Sequence, residues 1–510
     1  MSLEAGGQTA GSVEAGAHSG GSKPNRGGAG GAGAGADNVL AAGEAGELSS
    51  GGSNGGAGEI AGGAGAPAGG AGAPAGGAGA PAGGADTGGG GALAIGGGGA
   101  AGTAGSSGAA GGPSCVSVCT AQETCCYTTC ANLTTNALNC GVCGNACNVG
   151  RNCAGSACKG GWVSMSPPPV LLVARSRAAV TAMGKSVFFW GGQDGNGAAL
   201  DTGAIYDPHQ NTWKYLPKDL NGPSARMMAS AVWTGGAVIV FGGTDANGNA
   251  FRDGASYDPT ANQWTALPAN AAVTRRSAPS SFWDGTRAIF WGGLATSGLA
   301  VSNADRFDTM NWSVSTPMGD PGALLYPGVA FDGATMYLFG GLLNNNRQDK
   351  IYSYTPSTDA WGKLANSGLT PRSNPFTVWD GTRLVVWGGR DDMGLRSDGS
   401  YLLGNKWTAL AAFGAPSARM IAFRRSGWGF QISPGVIAMI GGQVSLSASA
   451  TLTTAGALYN VGTSTWTAIP TWISGEAHEY GMGAWTGEEF VLWGGRDNNS
   501  VTLTGDRWAP

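Results

Sequence analysis

The chain has 510 residues, of which 95 are glycine and 12% are charged. Its formal net charge of −4 at pH 7 gives no general attraction to nucleic acid or to an anionic membrane surface. No apolar run reaches the roughly 18 to 20 residues that a membrane-spanning helix needs, so we expect neither a nucleic-acid partner nor a membrane span.

Residues 1–112 consist mostly of glycine, alanine, serine and proline, with Pro67, Pro74 and Pro81 spaced seven residues apart. This composition offers too little apolar surface to offset the conformational entropy that folding removes. Glycine does not recur at every third position, which excludes a collagen triple helix. The sequence predicts a disordered Gly/Ala/Pro-rich tether over residues 1–112.

Residues 113–159 contain every cysteine of the chain. Such a short segment cannot be held together by burial alone, so the even number of cysteines predicts a disulfide-rich module. A metal site is the alternative, because "CGVCGNAC" has ligand-like spacing, but no histidine lies nearby and we expect no metal. The predicted disulfide cysteines are Cys115, Cys119, Cys125, Cys126, Cys130, Cys140, Cys143, Cys147, Cys153 and Cys158.

The adjacent pair Cys125 and Cys126, the core "NCGVCGNAC", and then Cys153 and Cys158 resemble the plant stigma-specific cysteine-rich family. The resemblance implies an extracellular setting, as disulfides also do. We therefore expect an extracellular or cell-surface protein. The start of the sequence lacks the features of a secretory signal, so we expect that the true N-terminus was trimmed or misassigned.

A diglycine recurs through residues 160–510 at steps of 51, 50, 48, 48, 53 and 53 residues. A period of about fifty residues without helical periodicity is typical of four-stranded propeller blades. In the second period the predicted strands are "ASAVWTG", "AVIVFGG", "GASYDP" and "QWTALP". The diglycines are Gly191/Gly192, Gly242/Gly243, Gly292/Gly293, Gly340/Gly341, Gly388/Gly389, Gly441/Gly442 and Gly494/Gly495.

Tryptophans recur in step with the diglycines. We expect each indole to pack against the bare backbone of a diglycine in the facing blade, because glycine presents no side chain there. A row of sugar-stacking indoles is the alternative. The tryptophans are Trp213, Trp264, Trp312, Trp361, Trp407, Trp466 and Trp508.

A hydrophobic strand ending in Gly-Gly, a Tyr-Asp-Pro turn and a tryptophan together resemble the kelch repeat over residues 160–510. The resemblance implies a β-propeller that usually acts as an interaction platform and sometimes as an enzyme. We predict an all-β, seven-bladed kelch-type propeller. Its ring closes either with an N-terminal strand around Trp162 or with the C-terminal "DRWAP" alone.

Arginine recurs sixteen residues before the first glycine of the diglycine in four copies, and twenty-two before it in the longer sixth copy. The kelch resemblance implies that these positions surround one mouth of the central channel. Converging guanidiniums favour a carboxylate or phosphate ligand. Alternatively, each arginine pairs with a carboxylate or carbonyl and fixes the contacts between blades. The candidate ligand-binding residues are Arg175, Arg226, Arg276, Arg372, Arg419 and, in the seventh copy, His478.

A radical copper site like that of galactose oxidase needs two histidines and a crosslinked cysteine. The propeller segment has only His209 and His478 and no cysteine, so we predict no cofactor and no catalytic residue. We predict a monomeric binding protein with a protein or glycan partner, rather than an enzyme. The alternative is a hydrolase, lyase or epimerase that holds acidic sugars through the arginines.

Overall fold

Seven four-stranded antiparallel sheets follow one another along the chain in the computed structural model, which describes residues 115, 117–149, 151–315, 319–421, 427–447, 451–474, 479–496 and 500–510. All regular elements in these ranges are β-strands, and no helix here is long and apolar enough to cross a bilayer. The predicted tether over residues 1–112 and His478 lie outside the described residues. The all-β, seven-bladed propeller is confirmed.

The sheets are called blades 1 to 7 in chain order. Each blade has a first, second, third and fourth strand, and neighbouring strands in this order are hydrogen-bonded. The strands of blades 1 to 3 are Ala179–Met183, Ser186–Trp190, Gly203–Asp207 and Thr212–Tyr215; Ser230–Trp233, Val238–Phe241, Gly254–Asp258 and Gln263–Ala266; Ser280–Trp283, Ala288–Trp291, Ala304–Phe307 and Trp312–Val314.

The next three blades follow the same order, and blades 4 and 5 carry an additional short hairpin between their second and third strands. Their strands are Gly328–Phe331, Met336–Phe339, Ile351–Thr355 and Ala360–Lys363; Phe376–Trp379, Leu384–Trp387, Gly399–Leu403 and Lys406–Ala409; Gly427–Ser433, Val436–Gly441, Gly456–Asn460 and Thr465–Ile469. The hairpins are Leu342–Leu343 with Asn346–Arg347, and Arg390–Asp391 with Gly394–Leu395.

Blade 7 closes the ring by combining both ends of the propeller segment. Its first three strands are Met482–Trp485, Phe490–Trp493 and Gly505–Ala509, and its fourth strand is Gly161–Ser164. Trp508 lies opposite Trp162 in this last pair. Closure by the N-terminal strand is therefore correct, and Trp162, not Trp508, is the seventh fourth-strand tryptophan.

Two faces of the propeller follow from this strand order. At the loop face, second strands are joined to third strands, and each fourth strand is joined to the first strand of the next blade. At the turn face, short turns join first to second and third to fourth strands. Asp284 shows why these turns are tight: its carboxylate accepts hydrogen bonds from the backbone N–H groups of Thr286 and Arg287, at 2.8 and 2.6 Å.

Second strands are buried throughout because they lie inside the sheet and between two packed blades. All four residues of Val238–Phe241 are at most 1% exposed. Aromatic residues fill the space between blades, and Trp264 of blade 2 contacts Phe188 and Trp190 of blade 1 with ring centroids 6.2 and 5.7 Å apart. These contacts form the core, so the hydrophobic effect holds neighbouring blades together.

The fourth-strand indoles of blades 2, 3, 4 and 6 pack on the side chain just before the diglycine of the preceding blade. The ring-centroid distances are 5.7 Å for Trp264 and Trp190, 4.9 Å for Trp312 and Phe241, 6.2 Å for Trp361 and Trp291, and 5.6 Å for Trp466 and Trp387. The expectation that the indoles pack on the bare diglycine backbone is therefore wrong, because they pack on the residue just before it. The contacts do show that these indoles have a structural role between blades.

The indole N–H groups add hydrogen bonds between blades. Trp213 donates to the carbonyl oxygen of Ser166 at 2.9 Å, Trp312 to that of Pro268 at 3.0 Å and Trp466 to that of Ala411 at 2.8 Å. Each acceptor follows the fourth strand of the preceding blade. Every such bond fixes one blade against the next in both distance and register.

Replacing Trp264 by phenylalanine is expected to lower the free energy of unfolding by about 1 to 2 kcal/mol, through loss of ring area and of the hydrogen bond to Pro217. The distance of that bond is 3.3 Å, and Trp264 is 3% exposed. Urea denaturation of both proteins measures the change. A denaturation midpoint equal to that of the wild type would contradict the inter-blade role.

The cysteine module contains five disulfides, as predicted from its composition. They join Cys115 to Cys125, Cys119 to Cys130, Cys126 to Cys143, Cys140 to Cys153 and Cys147 to Cys158. Two small hairpins complete the module: Thr124–Cys126 with Thr129–Ala131, and Cys153–Ala154 with Ala157–Cys158. The module leads directly into the strand Gly161–Ser164 and so lies at the turn face.

Candidate functional site

The diglycines lie at the loop face, where each second strand ends. Gly242 and Gly243 have φ values of 70° and 93°, in the region that favours glycine. A Cβ atom on Gly242 would lie 2.6 Å from the carbonyl oxygen of Arg276, and one on Gly243 would lie 2.7 Å from that of Met227. Glycine is therefore required because backbone carbonyls approach from both sides.

Each predicted arginine connects two diglycines. The Arg226 guanidinium donates to the carbonyl oxygen of Gly242 in its own blade at 3.1 Å. The carbonyl oxygen of Arg226 accepts a hydrogen bond of 2.9 Å from the N–H of Gly192 in the preceding blade. Arg276 repeats both contacts, with Gly292 and Gly243, at 2.9 Å each. The spacing of sixteen residues thus reflects a contact within one blade, between the residue that precedes the first strand and the glycine that follows the second strand.

The same two contacts occur around the ring. The side chains of Arg175, Arg372 and Arg419 donate to the carbonyl oxygens of Gly191, Gly388 and Gly441 at 2.9, 3.1 and 3.1 Å. Their own carbonyl oxygens accept from the N–H groups of Gly495, Gly341 and Gly389 at 2.9, 2.9 and 2.8 Å.

These five guanidiniums are buried, with whole-residue exposure between 0 and 3%. Three of them pair with aspartates: Arg226 with Asp253 at 2.8 Å, Arg276 with Asp305 at 2.7 Å, and Arg372 with Asp398 at 3.0 Å. Burial works to raise the pKa of Asp398, but the hydrogen bonds and charges of Arg372 and Arg396 together outweigh it and the pKa is lowered. Charge pairing therefore offsets part of the desolvation of these arginines.

Arg175 and Arg419 donate instead to neutral oxygens. Arg175 contacts the carbonyl oxygens of Val173, Gly191 and Thr202, and Arg419 contacts those of Ser417, Gly441 and Ala455. Burial lowers the pKa of each guanidinium to about 10. Both stay protonated at neutral pH.

The five arginines thus occupy equivalent positions in their blades, but their donors point at backbone carbonyl oxygens and, in three blades, at aspartates. These contacts correspond to the alternative in which each arginine fixes the contacts between blades. Binding of a carboxylate or phosphate by Arg175, Arg226, Arg276, Arg372 and Arg419 stays a prediction, and His478 lies outside the described residues.

A second ring, which sequence reasoning missed, lies two residues after the arginine position. Backbone N–H groups donate from one blade to the next: Met228 to the carbonyl oxygen of Arg177 at 2.8 Å, Ala278 to that of Met228 at 2.7 Å, and Ile421 to that of Asn374 at 2.9 Å. Six of these residues have φ between 48° and 58°, namely Arg177, Met228, Ala278, Tyr326, Asn374 and Tyr480. The side chains vary, so only the constant spacing from the arginines could have revealed the ring.

The central channel begins at this second ring. Arg177 lines the channel, with its guanidinium 4.2 Å from the centroid of the Tyr480 ring and 2.9 Å from the Tyr480 hydroxyl oxygen. Trp428 of blade 6 reaches across the lining to blade 7, where Gly481 and Gly483 leave room for it. About 780 Å³ in the channel is not filled by atoms, part of it open to solvent.

Exposed apolar side chains distinguish the two faces of the described propeller. Among the described propeller residues, only Met310 and Leu403 of this kind lie at the turn face, Met310 in a turn and Leu403 at the end of a third strand. The connections of the loop face carry the others: Val170, Leu171, Val173, Leu220, Leu299, Met393, Phe413, Leu446, Ile473 and Leu503. The loop face therefore presents most of the large apolar groups that the propeller leaves in water.

Comparison with known proteins relates part of the propeller to a described family. Residues 177–373 match the family described as the KLHDC2/KLHL20/DRC7 Kelch-repeats domain. This part of the chain consists of kelch repeats. The match covers blades 1 to 4 and most of the connection that leads into blade 5, and the same diglycine contacts continue through the remaining blades of the propeller.

Several curated proteins are similar to parts of the kelch propeller. Alpha-scruin of Limulus polyphemus is 28% identical over 180 residues, which are 33% of this chain and 19% of that protein. Kelch-like protein 35 of Mus musculus is 29% identical over 193 residues, 37% of this chain and 31% of that protein. Kelch domain-containing protein 3 of Bos taurus is 24% identical over 257 residues, 45% of this chain and 66% of that protein. The chain thus spans about a fifth to a third of the first two.

Proposed function

We propose that the protein is an extracellular or cell-surface binding protein that presents the loop face of its kelch propeller to a protein partner. The observation that carries the proposal is the concentration of exposed apolar side chains on that face. Exposed apolar groups that are concentrated on one face favour an interaction site there, because covering them removes apolar surface from water.

The distribution of these side chains favours a macromolecule over a small ligand. Leu220, Leu299, Met393, Phe413 and Leu503 belong to connections in or between different blades, so they surround the channel instead of lining one pocket. A specific protein interface buries about 800 Å² on each partner, which requires such a broad surface.

The chemistry of the face favours a protein over a glycan. Among its exposed large apolar side chains in the described residues, Phe413 alone is aromatic, and the rest are aliphatic or methionine. A sugar hydroxyl that is buried against aliphatic groups loses its hydrogen bonds to water and finds no replacement, which costs free energy. Apolar protein side chains have no hydrogen bonds to lose. The monomeric state of the protein stays a prediction.

The five disulfides support the proposed location. Disulfides form and persist in oxidising surroundings such as the cell exterior, and they are rare where thiols are kept reduced. All ten cysteines are paired. The alternative enzymatic function on acidic sugars requires arginines that reach a ligand. No contact of the five buried guanidiniums favours it, so we do not propose it.

Two exposed methionines on opposite faces test the function. Met393 on the loop face is 88% exposed and Met310 on the turn face is 76% exposed. A photo-crosslinking amino acid is placed at each position in the full chain, and the protein is added to the surface of the producing cells. After illumination, mass spectrometry identifies the crosslinked neighbours. We expect a specific protein at position 393 only.

The purified partner then gives the affinity. We expect Met393→Ser together with Phe413→Ser to weaken binding at least tenfold, since buried apolar anchors each contribute more than 1 kcal/mol. Met310→Ser is the matched control and is expected to leave the dissociation constant unchanged. Equal crosslinking at both positions, or a glycan as the crosslinked species, would refute a protein partner on the loop face.

A further inference from the structure

The ring of blades has one seam, inside blade 7. Blade 7 is completed by the strand Gly161–Ser164, called the closing strand, which hydrogen-bonds to Gly505–Ala509. The seam is therefore held by a short noncovalent ladder, whereas the four strands of every other blade are joined by continuous chain. The closing strand begins three residues after Cys158, so the cysteine module is attached directly to it.

A short segment of the module contacts both sides of this seam at the turn face, through Asn148, Val149 and Arg151. On the side of the closing strand, which continues into blade 1, the Val149 N–H donates to the carbonyl oxygen of His209 at 3.3 Å, and the Asn148 side chain contacts the His209 imidazole. On the other side, the Arg151 guanidinium donates to the Glu489 carboxylate of blade 7 at 2.9 Å. The segment thus connects blade 1 to the part of blade 7 that lies across the seam from the closing strand.

The contact with blade 7 is a buried charge cluster. The side chains of Arg151, Glu489 and Arg507 are 4, 1 and 0% exposed. Arg507 donates to both Glu489 oxygens, at 3.1 and 2.9 Å, and also to the Val149 carbonyl oxygen. Desolvated, charge-assisted hydrogen bonds of this kind demand close geometry, so they fix the position of the segment on the seam.

Two disulfides hold this segment in shape. Cys147 and Cys153 flank it, and they are bonded to Cys158 and Cys140. The bond between Cys147 and Cys158 joins the beginning of the segment to the residue that leads into the closing strand. The disulfide therefore adds a second covalent path, beside the main chain, from the seam contact to the strand that closes the ring.

We propose that the cysteine module functions as a clasp that keeps the propeller ring closed, with Asn148, Val149 and Arg151 as its contact and the Cys147–Cys158 disulfide as a second covalent link, beside the main chain, to the closing strand. Linking two weak contacts makes the second one intramolecular, so the ladder and the seam contact strengthen each other. The ring opens only when both are lost together. The clasp is independent of the proposed function of the loop face.

Amide hydrogen exchange of the full chain tests the clasp, since exchange rates report local opening. In the double variant Cys147→Ser with Cys158→Ser, we expect the amides of the closing strand to exchange at least tenfold faster. Arg151→Ala, which keeps all five disulfides, is expected to do the same. The strand Met336–Phe339 of blade 4, far from the seam in the ring, is expected to keep its wild-type rate.

The double variant Cys115→Ser with Cys125→Ser is the matched control, because it removes a disulfide that does not border residues 148–151. We expect its closing strand to exchange within about twofold of the wild-type rate. If the Cys147 variant does not fold, the Arg151→Ala variant decides alone. The proposal is overturned if the closing strand keeps its wild-type rate in the folded variants, or if blade 4 accelerates equally.

Discussion

Replacing Glu489 by glutamine is expected to lower the free energy of unfolding by about 3 to 5 kcal/mol. The Glu489 carboxylate lies between Arg151 and Arg507, and all three side chains are at most 4% exposed. Glutamine keeps the size of the side chain but leaves two buried guanidiniums without a counter-charge. Denaturant titration, followed by tryptophan fluorescence, measures the loss.

The neighbouring residue offers a matched control. Glu488 pairs with Lys185 at 2.6 Å at the surface, where the two side chains are 48 and 71% exposed. Exposed ion pairs contribute at most about 1 kcal/mol, so Glu488→Gln is expected to change the stability little. Equal losses in both variants would show that the buried charge cluster does not stabilise the protein.

The same carboxylate predicts a dependence of stability on pH. Burial works to raise the pKa of Glu489, but hydrogen bonds from Arg151 and Asn148 and the charges of Arg151 and Arg507 hold it below its ordinary value of 4.5. A carboxyl group whose pKa is lower in the folded state than in the unfolded state stabilises the fold at pH values above its unfolded-state pKa. This stabilisation is lost as the pH falls below the ordinary pKa of 4.5 and then through the lower folded-state pKa. The unfolding free energy of Glu489→Gln is therefore expected to fall less steeply over this range.

The second large effect is expected at the diglycine of blade 2. Gly243→Ala is predicted to cost about 3 kcal/mol, because alanine is strained at a φ of 93° and its Cβ would lie 2.7 Å from the Met227 carbonyl oxygen. That oxygen belongs to the backbone and cannot rotate away. Denaturant titration again measures the change.

Gly235 separates the two causes. Its φ is 95°, close to that of Gly243, but a Cβ atom there would meet nothing within 4 Å. Gly235→Ala thus reports backbone strain alone, which is expected to cost about 1 to 2 kcal/mol. If the two alanine variants are equally stable, the approach of the Met227 carbonyl does not explain the glycine.

The architecture could be predicted because one period repeats seven times. Strand, diglycine and tryptophan each recur within a few residues of the same spacing, and such repetition reflects local structure in every copy. That the cysteines form disulfides was equally predictable, although which cysteine pairs with which was not, because the segment has almost no other means of staying folded. Closure by Trp162 followed from its phase with Trp213, although the sequence alone left two solutions open.

The contacts between blades were harder to predict, since they depend on which residues face each other. The indole of Trp264 packs on Trp190, the residue before Gly191, and the diglycines themselves face carbonyl oxygens. The diglycines and the residues just before them recur with the same spacing. Periodicity therefore cannot distinguish which of these two adjacent positions an indole contacts. The arginine spacing likewise fixed a position but not the direction of the guanidinium.

The contact between module and propeller had no signal in the sequence at all. Arg151 and Glu489 are 338 residues apart, and neither belongs to the repeating pattern. Charged residues near turns are usually solvated, so nothing distinguishes Glu489 from the exposed Glu488 beside it. Only the three-dimensional arrangement brings these charges together and buries them.

Ring closure by the strand Gly161–Ser164 also sets an order of events in biosynthesis. This strand leaves the ribosome before blade 1, whereas its partner Gly505–Ala509 leaves after every other blade. Until then the nascent propeller carries an unpaired strand at its beginning and an incomplete sheet at its growing end, and unpaired edges are sites of mispairing between chains. The circle is thus completed after elongation through the last blade, and this order permits exchange of the strand between two molecules.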